Sequence, residues 1–349
     1  MAYGSGRKNE ISRMSVLLCL LVVFIHVSSD PVSRADRESW QFLAAFLPWR
    51  LAAFATQGFI FLSALRLSLS NSKRSFLSYL GRRLRRVLIP YVIWNVIYYI
   101  YFMRRGYFGF EPERFGGYLL RGDLVSPFYF VVIIVQFYLL FPLTKAIARR
   151  VPARFGLPVF ALLTYYFNMD MPRLIFTLSG RSFSYNDRLF TTYLFYWMLG
   201  TYAGVSYGAF ARQLKKRKGL ISVSFVSLAA LNGGLAWLQF SGIARIPLLE
   251  LIHYLYVISA ILFFYLVMLL RTEKRPGLSA LAAEIDSASY SIYLFHAYVI
   301  NIVNEQLQAA GITRIGESWL LRAAAVYVIC IAACVVWNRL SRAVTGLLR

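Results

Sequence analysis

The run Val16–Val27, VLLCLLVVFIHV, decides what kind of molecule this is. Every side chain in it is apolar except His26. It follows Arg13, shows no small-residue cleavage site and leads into further apolar runs, so it reads as an anchored helix rather than a removable signal peptide. An imidazole inside such a helix is costly unless it finds a partner. An intramembrane ionisable residue is therefore a candidate functional group by default, the alternative being a simple hydrogen bond to a neighbouring helix.

Outward from this run, the same pattern recurs along the whole chain. Hydrophobic residues make up 59% of the 349 positions and the mean hydropathy is +0.57, whereas soluble domains sit near ~45–50% apolar. The runs are continuous rather than alternating, which disfavours a β-barrel. The expectation is an all-α polytopic membrane protein with about ten transmembrane helices in one bundle, at 13–30, 46–69, 86–103, 126–144, 155–169, 189–207, 219–240, 247–270, 287–306 and 318–340. No large polar segment interrupts them, so residues 1–349 read as a single integral-membrane domain. No internal repeat of the transporter kind is evident. Cys19, Cys330 and Cys334 all fall in apolar runs, with no metal-ligand spacing, and read as small packing residues.

The formal charge of +23 invites a nucleic-acid reading, but its distribution argues against one. The N-terminus, alternate loops (Lys73–Arg86, Lys145–Arg154, Arg212–Lys218, Arg271–Arg275) and the C-terminus together carry 24 Lys and Arg. The opposite side carries 13, and Arg66 lies within the second run. This asymmetry places both termini in the cytoplasm. The charge is then largely topology, with attraction to anionic membrane lipids as a by-product; no nucleic-acid partner is expected.

With that orientation, His26 lies about 20 Å above Arg13 at 1.5 Å per residue, in the outer half of the membrane. His296 falls near the midplane and His253 near the outer end of its helix. These are the only three histidines, and they can share one cavity or serve as separate interhelical hydrogen-bonders.

The segments LLVVFIHVSS, FIFLSALRLS, YLGRRLRRVLIPYVIW, SPFYFVVIIVQFYLLFPL and SYSIYLFHAYVI occur in this order from about residue 11 to 300. In order and in content they resemble the integral-membrane acyltransferase-3 family. The resemblance implies a multi-pass enzyme of the bacterial plasma membrane. Such an enzyme takes an acyl group, usually acetyl, from cytoplasmic acyl-CoA (acetyl-CoA) and delivers it to a hydroxyl of an envelope glycan or lipid-linked saccharide acceptor. No metal is implied. His26 matches the family's first-helix histidine, regarded as catalytic, and Arg82, Arg83, Arg85 and Arg86 match its basic cluster. Two positions depart from the pattern. The family usually has a basic residue eleven positions before the histidine, where this chain has Ser15, with Arg13 the nearest cation. Ala64 stands where glycine is commoner.

The chemistry agrees with these residue types. Acyl transfer to an alcohol needs a base for the hydroxyl proton or a nucleophile that accepts the acyl group, and His26 suits either role. Ser28 and Ser29 are nearby donors for an oxyanion. Asp30, one turn on, is placed to orient the imidazole or to be a solvated loop acid. His296 is a second catalytic candidate; Tyr290, Tyr293 and His296 recur at spacing three on one helix face, which is also the pattern of an aromatic packing face. Arginine forks suit the phosphates of coenzyme A, and they equally suit cytoplasmic anchoring. Arg66 is expected to snorkel, and Gln136 and Tyr138 to bond between helices. Glu250 and His253, at spacing three, are expected to face the glycan or each other. The competing reading is an envelope glycan or lipid transporter or flippase with the histidines as a proton relay.

Overall fold

The computed structural model describes residues 8–70, 76–271 and 276–347. Arg7, Lys73, Arg74, Lys274, Arg275 and Arg349, counted above among the cytoplasmic cations, lie outside the described residues, as does the side chain of Arg342.

Among the described residues every regular element is helical. In chain order these are α1 (Asn9–Arg34), α2 (Trp40–Ala52), α3 (Ala55–Leu69), α4 (Phe76–Arg104), α5 (Pro112–Arg121), α6 (Tyr129–Arg150), α7 (Ala153–Ser179), α8 (Leu194–Val205), α9 (Tyr207–Lys216), α10 (Lys218–Phe240), α11 (Leu249–Leu270), α12 (Pro276–Ala309) and α13 (Ile315–Leu347). Local chemistry sets several ends. The hydroxyl of Ser39 accepts the Phe42 N–H at 3.1 Å and caps α2. Pro112 opens α5, and Gly122 closes it in the left-handed region, φ 65°.

Among the described residues seven stretches are long and apolar enough to cross a membrane: Asn9–Arg34, Trp40–Leu69, Ser78–Arg104, Ser126–Arg150, Lys218–Phe240, Leu249–Leu270 and Ile315–Ser341. The protein is an all-α, multi-pass membrane protein. The other three expected spans coincide with helices of different character. The run at 155–169 belongs to the longer α7, with Pro158 and Pro172 inside it. The run at 189–207 enters through two short 3-10 turns, so α8 itself has only 12 residues. The run at 287–306 lies within α12, whose 34 residues mix serine, tyrosine, histidine and asparagine into the apolar sequence. The second expected span is two helices, with the chain turning at Ala53 and Phe54.

The chain divides into two compact units, Met1–Gly58 with Ala211–Arg349, and Phe59–Phe210. In the first, α1 is central, packing on α2, α11, α12 and α13. Met14, Leu18, Val22 and Val27 run up its buried side. A Cβ at Gly58 would meet the end of the Leu18 side chain at 2.6 Å, so any larger residue there would displace Leu18. In the second unit, α6 packs on α4 and α8, and α7 on α8. Gly200 and Gly204 of α8 face Phe61 and Leu65 of α3 so closely that a methyl group at either would strike α3 backbone, the small-residue spacing of membrane helix contacts.

Candidate active site

The first unit brings two of the three histidines together. The His26 ring, on α1, lies with its centroid 5.1 Å from that of His296, on α12, at an interplanar angle of 44°. His296 is fully buried, whereas His26 is partly open. The Nδ1 of His296 lies 3.2 Å from the Ile292 carbonyl, one turn back. A carbonyl only accepts, so Nδ1 carries the hydrogen and Nε2 carries the lone pair. That Nε2 is buried with no hydrogen-bond partner among the described residues. Below it on the same face, Tyr293 approaches His296 at 6.1 Å and stacks on Tyr290 at 6.2 Å, as the spacing of three requires. The result is an imidazole pair inside a helical bundle, one ring fixed by its own helix and the other on a partly exposed residue.

Asp30 does not take the expected orienting position on His26. Its carboxylate accepts from Arg322 of α13 at 2.7 Å and from Arg34 at 3.2 Å. Arg322 is 3% exposed, and a buried guanidinium demands a carboxylate more strongly than a neutral imidazole does. Ser28 is likewise engaged by α13, accepting from Trp319 Nε1 at 3.2 Å, while Ser29 bonds back to the Ile25 carbonyl at 2.8 Å. Tyr327 of α13 donates to the Leu20 carbonyl at 2.7 Å. Thus α13 grips α1 at residues 20, 28 and 30, on both sides of His26.

His253 does not join the pair. Its Nδ1 lies 3.2 Å from Asn232 Oδ1, and its nearest ring is Tyr256 at 6.2 Å. Glu250 pairs with Arg50 at 3.6 Å rather than with His253. Arg13 is the cation nearest position 15, where the family's basic residue is absent. It donates to the Arg271 carbonyl at 2.9 Å, at the end of α11, and the Ser15 hydroxyl is buried without a hydrogen-bond partner among the described residues.

In the second unit, α4 presents the arginine cluster in two directions. Arg85 and Arg86 are exposed; Arg82 and Arg83 are partly buried. Arg83 lies over the Tyr79 ring at 5.4 Å, and Arg83 and Arg66 of α3 both act electrostatically on Tyr138 of α6. Gln136 bonds between elements as expected: it donates to the Arg188 carbonyl at 2.7 Å and accepts from Phe190 N–H at 3.0 Å, pinning the turns before α8.

A family model described as an acyltransferase domain matches residues 11–339. The chain belongs to the acyltransferase-3 family. Within this family it is similar to proteins named "Probable poly-beta-1,6-N-acetyl-D-glucosamine export protein" from Staphylococcus aureus, at 24% identity over 240 residues for strains MSSA476 and N315, and at 23% for strain Mu50 / ATCC 700699. The aligned stretch covers 64% of this chain and 66% of each relative's length. No solved structure matches the chain.

Sequence reading overlooked Arg50, Asn232, Trp319 and Arg322. Both arginines lie inside expected spans, at 46–69 and 318–340, and the rule that singled out His26 applies to them equally. They escaped notice because they were counted with the loops.

Proposed function

We propose that this protein is an O-acyltransferase of the bacterial plasma membrane, moving an acyl group, in our reading acetyl, from acyl-CoA to a hydroxyl of an envelope glycan or lipid-linked saccharide. The observation that carries the proposal is the His26–His296 pair: one imidazole on a partly exposed residue beside one buried imidazole whose acceptor nitrogen has no hydrogen-bond partner among the described residues. A base and a neighbour able to take on its proton are what ester formation requires. His26 removes the hydroxyl proton as the oxygen attacks the thioester carbonyl; the C–O bond forms, the C–S bond breaks, and the proton ends on the leaving sulfur. His26 can equally accept the acyl group first and pass it on. Arg82, Arg83, Arg85 and Arg86 hold the donor's phosphates, with Arg83 over the Tyr79 ring and Arg85 and Arg86 open to an incoming anion. Asp30 acts at one remove, by holding α1 to α13 through Arg322.

The test compares ester content of the envelope glycan in a His26→Ala strain and in wild type at equal protein level. Loss of ester with unchanged glycan quantity is expected; unchanged ester content would sink the assignment. The name of the Staphylococcus aureus relatives supports a second reading, glycan export. Under that reading the same substitution lowers the amount of glycan outside the cell rather than its ester content, so one extraction separates the two.

A further inference from the structure

The first unit holds another polar group that neither the histidine pair nor α13 uses. Arg50 of α2, Asn232 of α10 and His253 of α11 meet around one oxygen, Asn232 Oδ1. Arg50 Nε donates to it at 3.3 Å, and His253 Nδ1 lies 3.2 Å from it. Arg50 is 8% exposed and Asn232 is fully buried.

The donor and acceptor inventory fixes the orientation of every group. Arginine has no acceptor, so the Asn232 amide must present its oxygen to Arg50, and a flipped amide would set N–H against N–H. His253 must then also donate from Nδ1, which leaves its Nε2 as an acceptor. What remains is asymmetric. Arg50 Nη2 and Asn232 Nδ2 are buried donors without a hydrogen-bond partner among the described residues. The nearest carboxylate, Glu250, stands 3.6 Å from Arg50 Nη2, beyond hydrogen-bond length, with its side chain 52% exposed. Unpaired buried donors are costly to maintain, and here two occur in one cluster, one of them cationic. A structural network would close on itself; this one leaves two buried donors unfilled.

We infer that Arg50, Asn232 and His253 form a binding site for a saccharide carrying an oxyanion, a carboxylate or a phosphate. The oxyanion takes the Arg50 and Asn232 N–H groups, and a neighbouring sugar hydroxyl donates to His253 Nε2. Glu250 is the loose counter-ion that the ligand displaces. Asn232 and His253 lie eight and four residues from the facing ends of α10 and α11, about 12 and 6 Å along the helices, so the site is near that end of the bundle. The inference rests on the acyl-transfer reading only for its purpose, which is to orient the acceptor.

The test measures ligand-induced shifts of the unfolding temperature of the full chain in lipid nanodiscs. The probes are glucuronate, glucose 1-phosphate and glucose. At least one anionic sugar is expected to bind tenfold or more tightly than glucose, and which one does so tells a glycan carboxylate from a sugar phosphate. Arg50→Gln should weaken that binding about tenfold and Arg50→Lys less. Glu250→Gln, at a half-exposed position where folding is not at stake, should tighten it several-fold. Equal shifts with glucose, no shift with any sugar, or affinity unmoved by both Arg50→Gln and Glu250→Gln would overturn the site. His26→Ala should bind the same sugars as wild type. If anion binding persists while glycan ester is unaffected by His26→Ala, the acyl-transfer reading fails and the site stands; if ester is lost but no sugar binds, the reverse holds.

Discussion

Two histidine environments share one unit of this molecule and are built on opposite plans. His296 donates Nδ1–H to a carbonyl of its own helix, so its orientation costs no other element anything, and its second nitrogen is buried without a hydrogen-bond partner among the described residues. His253 donates to Asn232 on a different helix, and Asn232 is also bound to Arg50 on a third. Among the described residues the first arrangement leaves a buried acceptor nitrogen unfilled; the second leaves two buried donors unfilled. A site with spare acceptors suits taking a proton from a nucleophile, and a site with spare donors and a cation suits holding an anion. Burial is common to both, so what separates them is which side of the hydrogen-bond inventory has been left unfilled.

The largest break in that comparison should come from His26→Ala. Loss of the base is expected to lower kcat for acyl transfer by about 10²–10⁴-fold, read in purified protein with acetyl-CoA and a glycan acceptor; a fall of less than threefold would remove His26 from the chemistry. His296→Phe keeps the ring packing but removes the acceptor nitrogen, and should lower kcat by about 10–100-fold with KM little changed. His253→Phe should do the opposite, raising KM for an anionic acceptor about tenfold while kcat holds. If both histidine variants change the same parameter, the two plans are one.

Stability changes sharpen the comparison further. Arg322→Met breaks the grip of α13 on α1 and strands a partly buried carboxylate at Asp30. It should cost about 1–3 kcal/mol, seen in thermal unfolding in detergent. Removing the other partner of the same carboxylate, Arg34→Ala, breaks an exposed pair and should cost at most about 0.5 kcal/mol. Equal losses would mean that burial does not distinguish the two arms.

Much of this was legible in the residues. The apolar runs place most of the helices, and counting depth along α1 and α12 sets His26 and His296 at comparable height without showing that they meet. His253 shows where that method stops. Depth fixes height in the bundle but not which helices are neighbours, and His253 faces Asn232 on α10 instead of α1. Asp30 fails for a related reason. A spacing of four sets it on the His26 face, but Arg322, 292 positions away in sequence, competes for the same carboxylate and wins. α12 resisted a hydropathy reading because its polar side chains face other helices, so the sequence features that build the site are the ones that blur the span. Arg50 and Arg322 were legible and missed, through being counted as topology when they lie inside helices.

The distance between the two halves of the histidine pair is also a distance in time. Helices α1 and α12 meet through residues 270 positions apart, as Cys19 and the Ser289 carbonyl do. At about 5–20 residues per second of synthesis, His26 waits on the order of 10–60 s for its neighbour to leave the ribosome. A nascent or truncated chain therefore carries one isolated imidazole and no pair. Only a chain translated through α12 can form the pair, which makes synthesis of nearly the whole described chain a condition for it.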